Sequence, residues 1–186
     1  TFTSAGRALV DDADAAEQRA TLSVRELLTA GRTYYVRTDG SDSNNGLTNA
    51  SGGAFLTIQK AVDVAYSLDF GTYNVTISVQ SGTYTGAVSC NGKHIGTGSL
   101  TITGSSATVS TTNATCFSIQ NGAQVTVGGF TVQTTTSGNC FSINGGGTKC
   151  SLGSGMTFGT CANDHISIND GALFVGNSYT ISGNPN

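Results

Sequence analysis

The chain has no tryptophan, one proline and one methionine among its 186 residues. Charge is scarce too: only 10% of residues are charged and the net charge is −3. That balance excludes a basic surface built for nucleic acid or for an anionic membrane. No apolar run is long enough to cross a bilayer, so membrane insertion is not expected. The start, Thr1 to Arg7, lacks the basic and apolar regions of a signal peptide. It does not open on Met, as expected of a fragment or a processed chain. The five cysteines contain no C-x-x-C, and His94 and His165 stand alone. Metal-ligand spacing is therefore missing, and no cofactor is implied.

What the chain has in quantity is glycine, 26 residues, with many Ser, Thr and Asn. With so little charge, that composition elsewhere signals disorder. Here a repeat supplies a core. Four segments share one phrase: Val88-Ser89-Cys90-Asn91-Gly92, Phe117-Ser118-Ile119-Gln120-Asn121-Gly122, Phe141-Ser142-Ile143-Asn144-Gly145 and Ile166-Ser167-Ile168-Asn169-Asp170-Gly171. Each reads apolar, Ser, apolar, then a turn. A strand with two inward side chains and one outward Ser fits.

A second column runs through Val75-Thr76-Ile77, Leu100-Thr101-Ile102, Val125-Thr126-Val127, Cys150-Ser151-Leu152 and Leu173-Phe174-Val175. Its central residues are spaced 25, 25, 25 and 23 apart. A third column pairs Ala107/Val109, Phe130/Val132, Met156/Phe158 and Tyr179/Ile181. Matching positions then stack about 4.8 Å apart, with apolar residues inside and Ser or Thr ladders outside. An antiparallel sandwich is the alternative, but hairpins have no reason to keep a fixed period. The expected fold class is an all-β solenoid, a parallel β-helix with three short strands per coil. It is expected to be right-handed, as parallel crossovers almost always are.

Charge divides the chain. Nine of the 11 acidic residues precede residue 70, and no glutamate follows Glu26. Residues 1–33 read as a helical leader, 34–72 as a cap and 73–186 as coils. In the leader, Asp11 to Ala20 reads as a helix with acids first and Arg19 near its end. Ser23 is expected to cap a further turn through Arg25-Glu26-Leu27-Leu28. Tyr34 to Arg37 reads as a strand. Thr57 then opens a helix with Ile58, Ala61, Val62 and Ala65 on one face. That stripe suits a lid on the first coil. The end, Gly183 to Asn186, carries no such lid. The last coil is expected to be covered by further chain or by a neighbour.

Cys90 and Cys150 fall at inward positions and read as small core residues. Cys116 and Cys140 occupy one position in successive coils, within disulfide range. A bridge and a stack of two free thiols both fit. Cys161 lies in a loop.

Two segments resemble known families. Tyr34 to Ala65, with its Asp-Gly-Ser-Asp-Ser-Asn-Asn-Gly loop and Ala-Phe-Leu-Thr-Ile-Gln-Lys-Ala helix, resembles the cap of pectate-lyase-like β-helix proteins. Val79-Gln80-Ser81-Gly82-Thr83-Tyr84 resembles their first coil. The leader from Ala5 to Leu22 resembles a segment common in bacteriophage tail fibres and tail spikes. The resemblance implies a virion protein on the phage exterior, a homotrimer. Residues 1–33 would then meet other tail or baseplate proteins, and the β-helix would project toward a host surface glycan.

Many such proteins resemble glycan depolymerases. A hydrolase needs two facing carboxylates, and a lyase needs a base, usually with Ca²⁺. The coils offer only Asp164, His165 and Asp170 as candidates. None matches a family catalytic position, and the turn geometry around Asn169-Asp170-Gly171 explains Asp170 locally. Five coils also make a short groove. Asp39, Asp42 and Asn44 form the one candidate Ca²⁺ loop, against an Asx-turn reading. Phe174 interrupts the outward Ser/Thr ladder. It reads either as a subunit or glycan contact, or as a shift in strand register.

Overall fold

The structure is a computed structural model that describes residues 3–22 and 24–185. The leader holds two short helices, α1 (Ser4–Asp11) and α2 (Ala15–Leu22). Thr3 caps α1, its hydroxyl accepting from Gly6 N at 3.2 Å. The single helix expected over Asp11 to Ala20 is broken at residues 12–14, because Asp14 caps α2. Its Oδ1 accepts from Ala16 N at 2.8 Å and Glu17 N at 3.0 Å, and Glu17 reaches back to Ala13 N at 2.7 Å. This is a reciprocal capping arrangement. The bonds from Glu17 N and Ala16 N hold the Asp14 carboxyl below its usual range.

The helical turn expected over residues 25–28 is not there, and Ser23 lies outside the described residues. Instead Glu26–Leu27 is a short strand, parallel to Leu68–Asp69. Leu28 explains the change: it is buried, and its N–H donates to Asp69 O at 2.9 Å. Glu26 also pairs with Arg32 at 2.8 Å. The end of the leader is thus stitched to the solenoid edge.

The lid follows the sequence expectation. Thr57 caps α3 (Ile58–Tyr66), accepting from Lys60 N, and Ile58, Ala61, Val62 and Ala65 are buried against the first coil.

Behind the lid the chain winds as a parallel β-solenoid with three faces. The first face stacks Arg32–Val36, Val75–Val79, Leu100–Asn113, Gln124–Ser137, Lys149–Leu152 and Leu173–Val175 in that order. The second stacks Val88–Asn91, Phe117–Gln120, Phe141–Asn144 and Ile166–Asn169. Gly82–Tyr84, Met156–Phe158 and Tyr179–Ile181 form the third with the far halves of the two long strands. Those two strands, each 14 residues, run unbroken around the corner between faces. Three separate strands were expected in each coil. Gly129 sits at this corner with φ +74, and a Cβ there would collide with Gly104 O.

The repeated phrases stack in register: Phe117 on Phe141 on Ile166, and Ser118 on Ser142 on Ser167. Phe117 and Phe141 lie parallel with centroids 5.0 Å apart. The Thr33, Thr76, Thr101, Thr126 and Ser151 positions form one outward ladder. The last rung needs a correction. Cys150 faces Phe174 and Ser151 faces Val175, so the final step of this ladder is 24. Phe174 is therefore an inward residue packed on the core, not a break in the outward ladder.

Candidate functional sites

Each group singled out in the sequence can now be placed. Asp164 lies at the corner entering the last strand of the second face. Its carbonyl accepts from Cys140 N at 3.0 Å, and its side chain is exposed. His165 follows in the column above Cys140. Its ring nitrogen Nε2 meets Gly159 O at 2.9 Å and its ring tilts against Phe158 at 5.6 Å. A carbonyl only accepts, so Nε2 carries the proton. Asp170 is exposed at φ +54, and Asn121 at the matching turn has φ +56. Asp is enriched in that conformation for local reasons. Among the described residues no hydrogen bond or ion pair joins either carboxylate to His165. Asp164 and Asp170 thus present exposed side chains, while the His165 ring is held at Gly159 O.

The Asp39/Asp42/Asn44 loop is engaged by the protein itself. Asp39 takes two bonds from Arg37, at 2.8 and 3.0 Å. Arg37 accordingly holds the Asp39 carboxyl below its usual range. Asp42 Oδ1 accepts from Leu56 N and Thr57 N, and Oδ2 accepts from the Thr57 hydroxyl at 2.7 Å. Asn44 donates to Ser51 O and Ala54 O. These bonds fasten the loop to the start of α3. Both oxygens of Asp42 are used, which favours the self-bonded loop over a Ca²⁺ site. Among the described residues no cluster of three or more metal-ligating side chains occurs.

Cys116 and Cys140 do occupy stacked positions, since Phe117 faces Phe141 one residue on. They are not joined. Cys140 is bonded to Cys161, with Cα atoms 6.1 Å apart. Cys116 stays free because its thiol is turned to Gln133 O at 3.1 Å, with the Thr111 hydroxyl at 3.5 Å. The bridge joins the two ends of one coil, the one that holds Phe141–Asn144, Lys149–Leu152 and Met156–Phe158. Reducing it is expected to cost about 3 kcal/mol, from a closed loop of 21 residues. Urea unfolding with and without reductant measures this.

Cys90 and Cys150 are fully buried core residues, as their positions imply. Burial pushes both thiols up to about 12. Burial raises Cys116 as well. The folded, unreduced protein is therefore expected to resist iodoacetamide at about pH 8, because the thiolate is the reactive form. Mass spectrometry should find all three thiols labelled only after unfolding.

The outer surface offers hydroxyls. At the corner between the first and third faces, an open groove of about 410 Å³ is lined by Thr103, Ser105, Ser106, Thr131, Ser154 and Thr157, among other residues. Its lining carries no acid, base or thiol. A second cleft, about 360 Å³, lies where the start of α3 meets the first coil, beside Thr38, Gln59, Thr83 and Tyr84. Both suit hydrogen bonding, and neither supplies a proton-transfer pair. His94, which stands alone in the sequence, is buried in the fold. It stacks on Phe70 at 4.5 Å, and its Nε2 meets Gly98 O at 2.7 Å.

In comparisons with known proteins, no family model, curated protein or solved structure matches this chain. What stands is the fold: a parallel β-solenoid with two short leader helices and a lid helix.

Proposed function

We propose that this chain is a structural segment of a phage tail fibre or tail spike. It would attach to the particle through residues 1–33 and present the coils for host-surface recognition. The observation that carries this reading is the division of the molecule. A charged helical leader is stitched to one end of an almost uncharged solenoid, whose faces bear hydroxyl ladders. An elongated scaffold with a polar, neutral exterior suits display and adhesion. The resemblance of the leader to phage tail segments points the same way. A homotrimer on the virion exterior is part of the proposal. The alternative is a glycan depolymerase on the same β-helix, and it is the weaker reading because among the described residues no hydrogen bond or ion pair joins Asp164 or Asp170 to His165.

The test is compositional. Purified particles of the source virus should contain the chain by mass spectrometry, and antibodies to the coils should decorate the tail. Particles lacking the chain would refute the reading.

A further inference from the structure

At the lid end each face of the solenoid begins with a strand edge, and two of these edges are closed. On the first face, Arg32–Val36 is bonded to the polar loop. Tyr35 N donates to Gly46 O at 2.8 Å, Phe55 N to Tyr35 O at 2.9 Å and Arg37 N to Phe55 O at 2.9 Å. On the second face the Gln59 side chain stands in for a strand. Its Oε1 accepts from Ser89 N at 2.6 Å and its Nε2 donates to Ser89 O at 3.2 Å. The third face is different. Among the described residues, Gly82–Tyr84 pairs on one side alone, with residues 107–109. Thr38 lies against Gly82. Beyond that contact, Thr85, Gly86 and Ala87 are exposed, and no turn or loop hydrogen bond takes their backbone N–H and C=O groups. Proteins commonly blunt an open edge with charge or proline. Residues 82–87 carry neither.

This edge forms one wall of the cleft of about 360 Å³ whose other wall is Thr38, Leu56 and the start of α3. The chemistry of the walls says what fits between them. Several polar side chains are already engaged. Gln59 holds Ser89, the Thr57 hydroxyl donates to Asp42 at 2.7 Å, and the Tyr84 hydroxyl donates to Gln80 O at 3.0 Å. The Tyr84 ring is buried, so it offers a sugar no stacking platform. What the edge offers instead is a row of backbone donors and acceptors, which an extended peptide matches. No charged side chain lines the cleft, so a charged group entering it would lose water without gaining a partner. Leu56 is 41% exposed on the facing wall and gives an apolar side chain a surface to cover.

We propose that this cleft takes an extended, uncharged segment of a partner protein, added as a strand beside residues 83–87 with an apolar side chain against Leu56. The inference goes beyond the virion reading and does not depend on it.

A library of random, terminally blocked eight-residue peptides, screened on the full chain, supplies the probe. Retained peptides should be uncharged at their central residues and should shift the amide resonances of residues 83–87. Backbone groups along a strand alternate between its two sides. N-methylation of a retained peptide at alternate residues should therefore weaken binding about tenfold or more in one phase and little in the other. Proline at Gly86 or at Ala87, whichever turns its N–H to the cleft, should do the same with an unchanged far-UV spectrum. Gly86→Ala keeps the N–H, and nothing lies within 4 Å of a Cβ there, so it should bind as the wild type does. A library that yields no binder at residues 83–87 overturns the proposal. So does a binder indifferent to both phases of N-methylation, or a neutral oligosaccharide that shifts the same amides where no peptide does.

Discussion

Alanine in place of Phe141 is expected to cost about 3–5 kcal/mol of stability. Phe141 is fully buried, stacked on Phe117 at 5.0 Å and tilted against Phe158 at 5.8 Å. It sits mid-stack, with a coil on either side. A cavity there cannot be filled by collapse, because neighbouring backbones are fixed by ladder hydrogen bonds. Urea unfolding gives the magnitude. Phe174→Ala supplies the contrast. Phe174 is inward but only half-buried, with no rung above it in the structure. Its loss should cost well under half as much. Equal losses at the two sites would mean that the stack is not the core.

The second large effect belongs to Gly129. Its φ of +74 is left-handed, and a Cβ would strike Gly104 O on the neighbouring coil. Backbone strain of about 1–2 kcal/mol adds to a steric penalty of about 1–3 kcal/mol. Gly129→Ala should therefore lose about 2–5 kcal/mol by thermal or urea unfolding. Gly122 provides the comparison. It also has a positive φ, +83, but nothing lies within 4 Å of a Cβ there. Gly122→Ala should show the backbone part alone, about 1–2 kcal/mol. If the two variants lose the same amount, the close approach of the coils at the Gly104/Gly129 corner is wrong.

Much of this architecture was legible in the sequence because burial alternates strictly. In Phe141-Ser142-Ile143 the two apolar side chains must face one way and Ser142 the other. The fixed period then sets which rung meets which. The stripe Ile58, Ala61, Val62 and Ala65 identified the lid for the same reason at helical spacing. Where alternation fails, so does the reading. Leu173-Phe174-Val175 is apolar at all three positions, so its register could not be chosen without its neighbour Lys149–Leu152. Glu26–Leu27 is two residues long, and its partner Leu68–Asp69 is remote in sequence. Nothing local announces such a strand. Three short strands per coil were expected, yet two strands run on through Gly104 and Gly129, because a corner without a Cβ lets the ladder bend without breaking.

The candidate sites divide along the same line. The polarity of the faces was readable, because outward Ser and Thr follow from the register. The bonding of Asp42 to Thr57 and of Cys140 to Cys161 was not, because both depend on the path of a loop. Asp164, His165 and Asp170 show the converse. They are neighbours in sequence, yet the corner turns them to separate tasks: a backbone contact, a bond to Gly159 O and a left-handed turn.

The register of parallel stacked coils underlies every assignment above, and cross-linking tests it most directly. Ser118 and Ser142 face each other on adjacent rungs of the second face. Cysteines at both positions should oxidise to a disulfide within the monomer, since neighbouring strands bring their Cα atoms within bridging range. Peptide mapping would identify the bond. The account predicts the 118–142 bridge, and no bridge when Ser118→Cys is combined with Thr131→Cys on the third face. A 118–131 bridge, or no bridge at 118–142 in the folded protein, would contradict the stacked register.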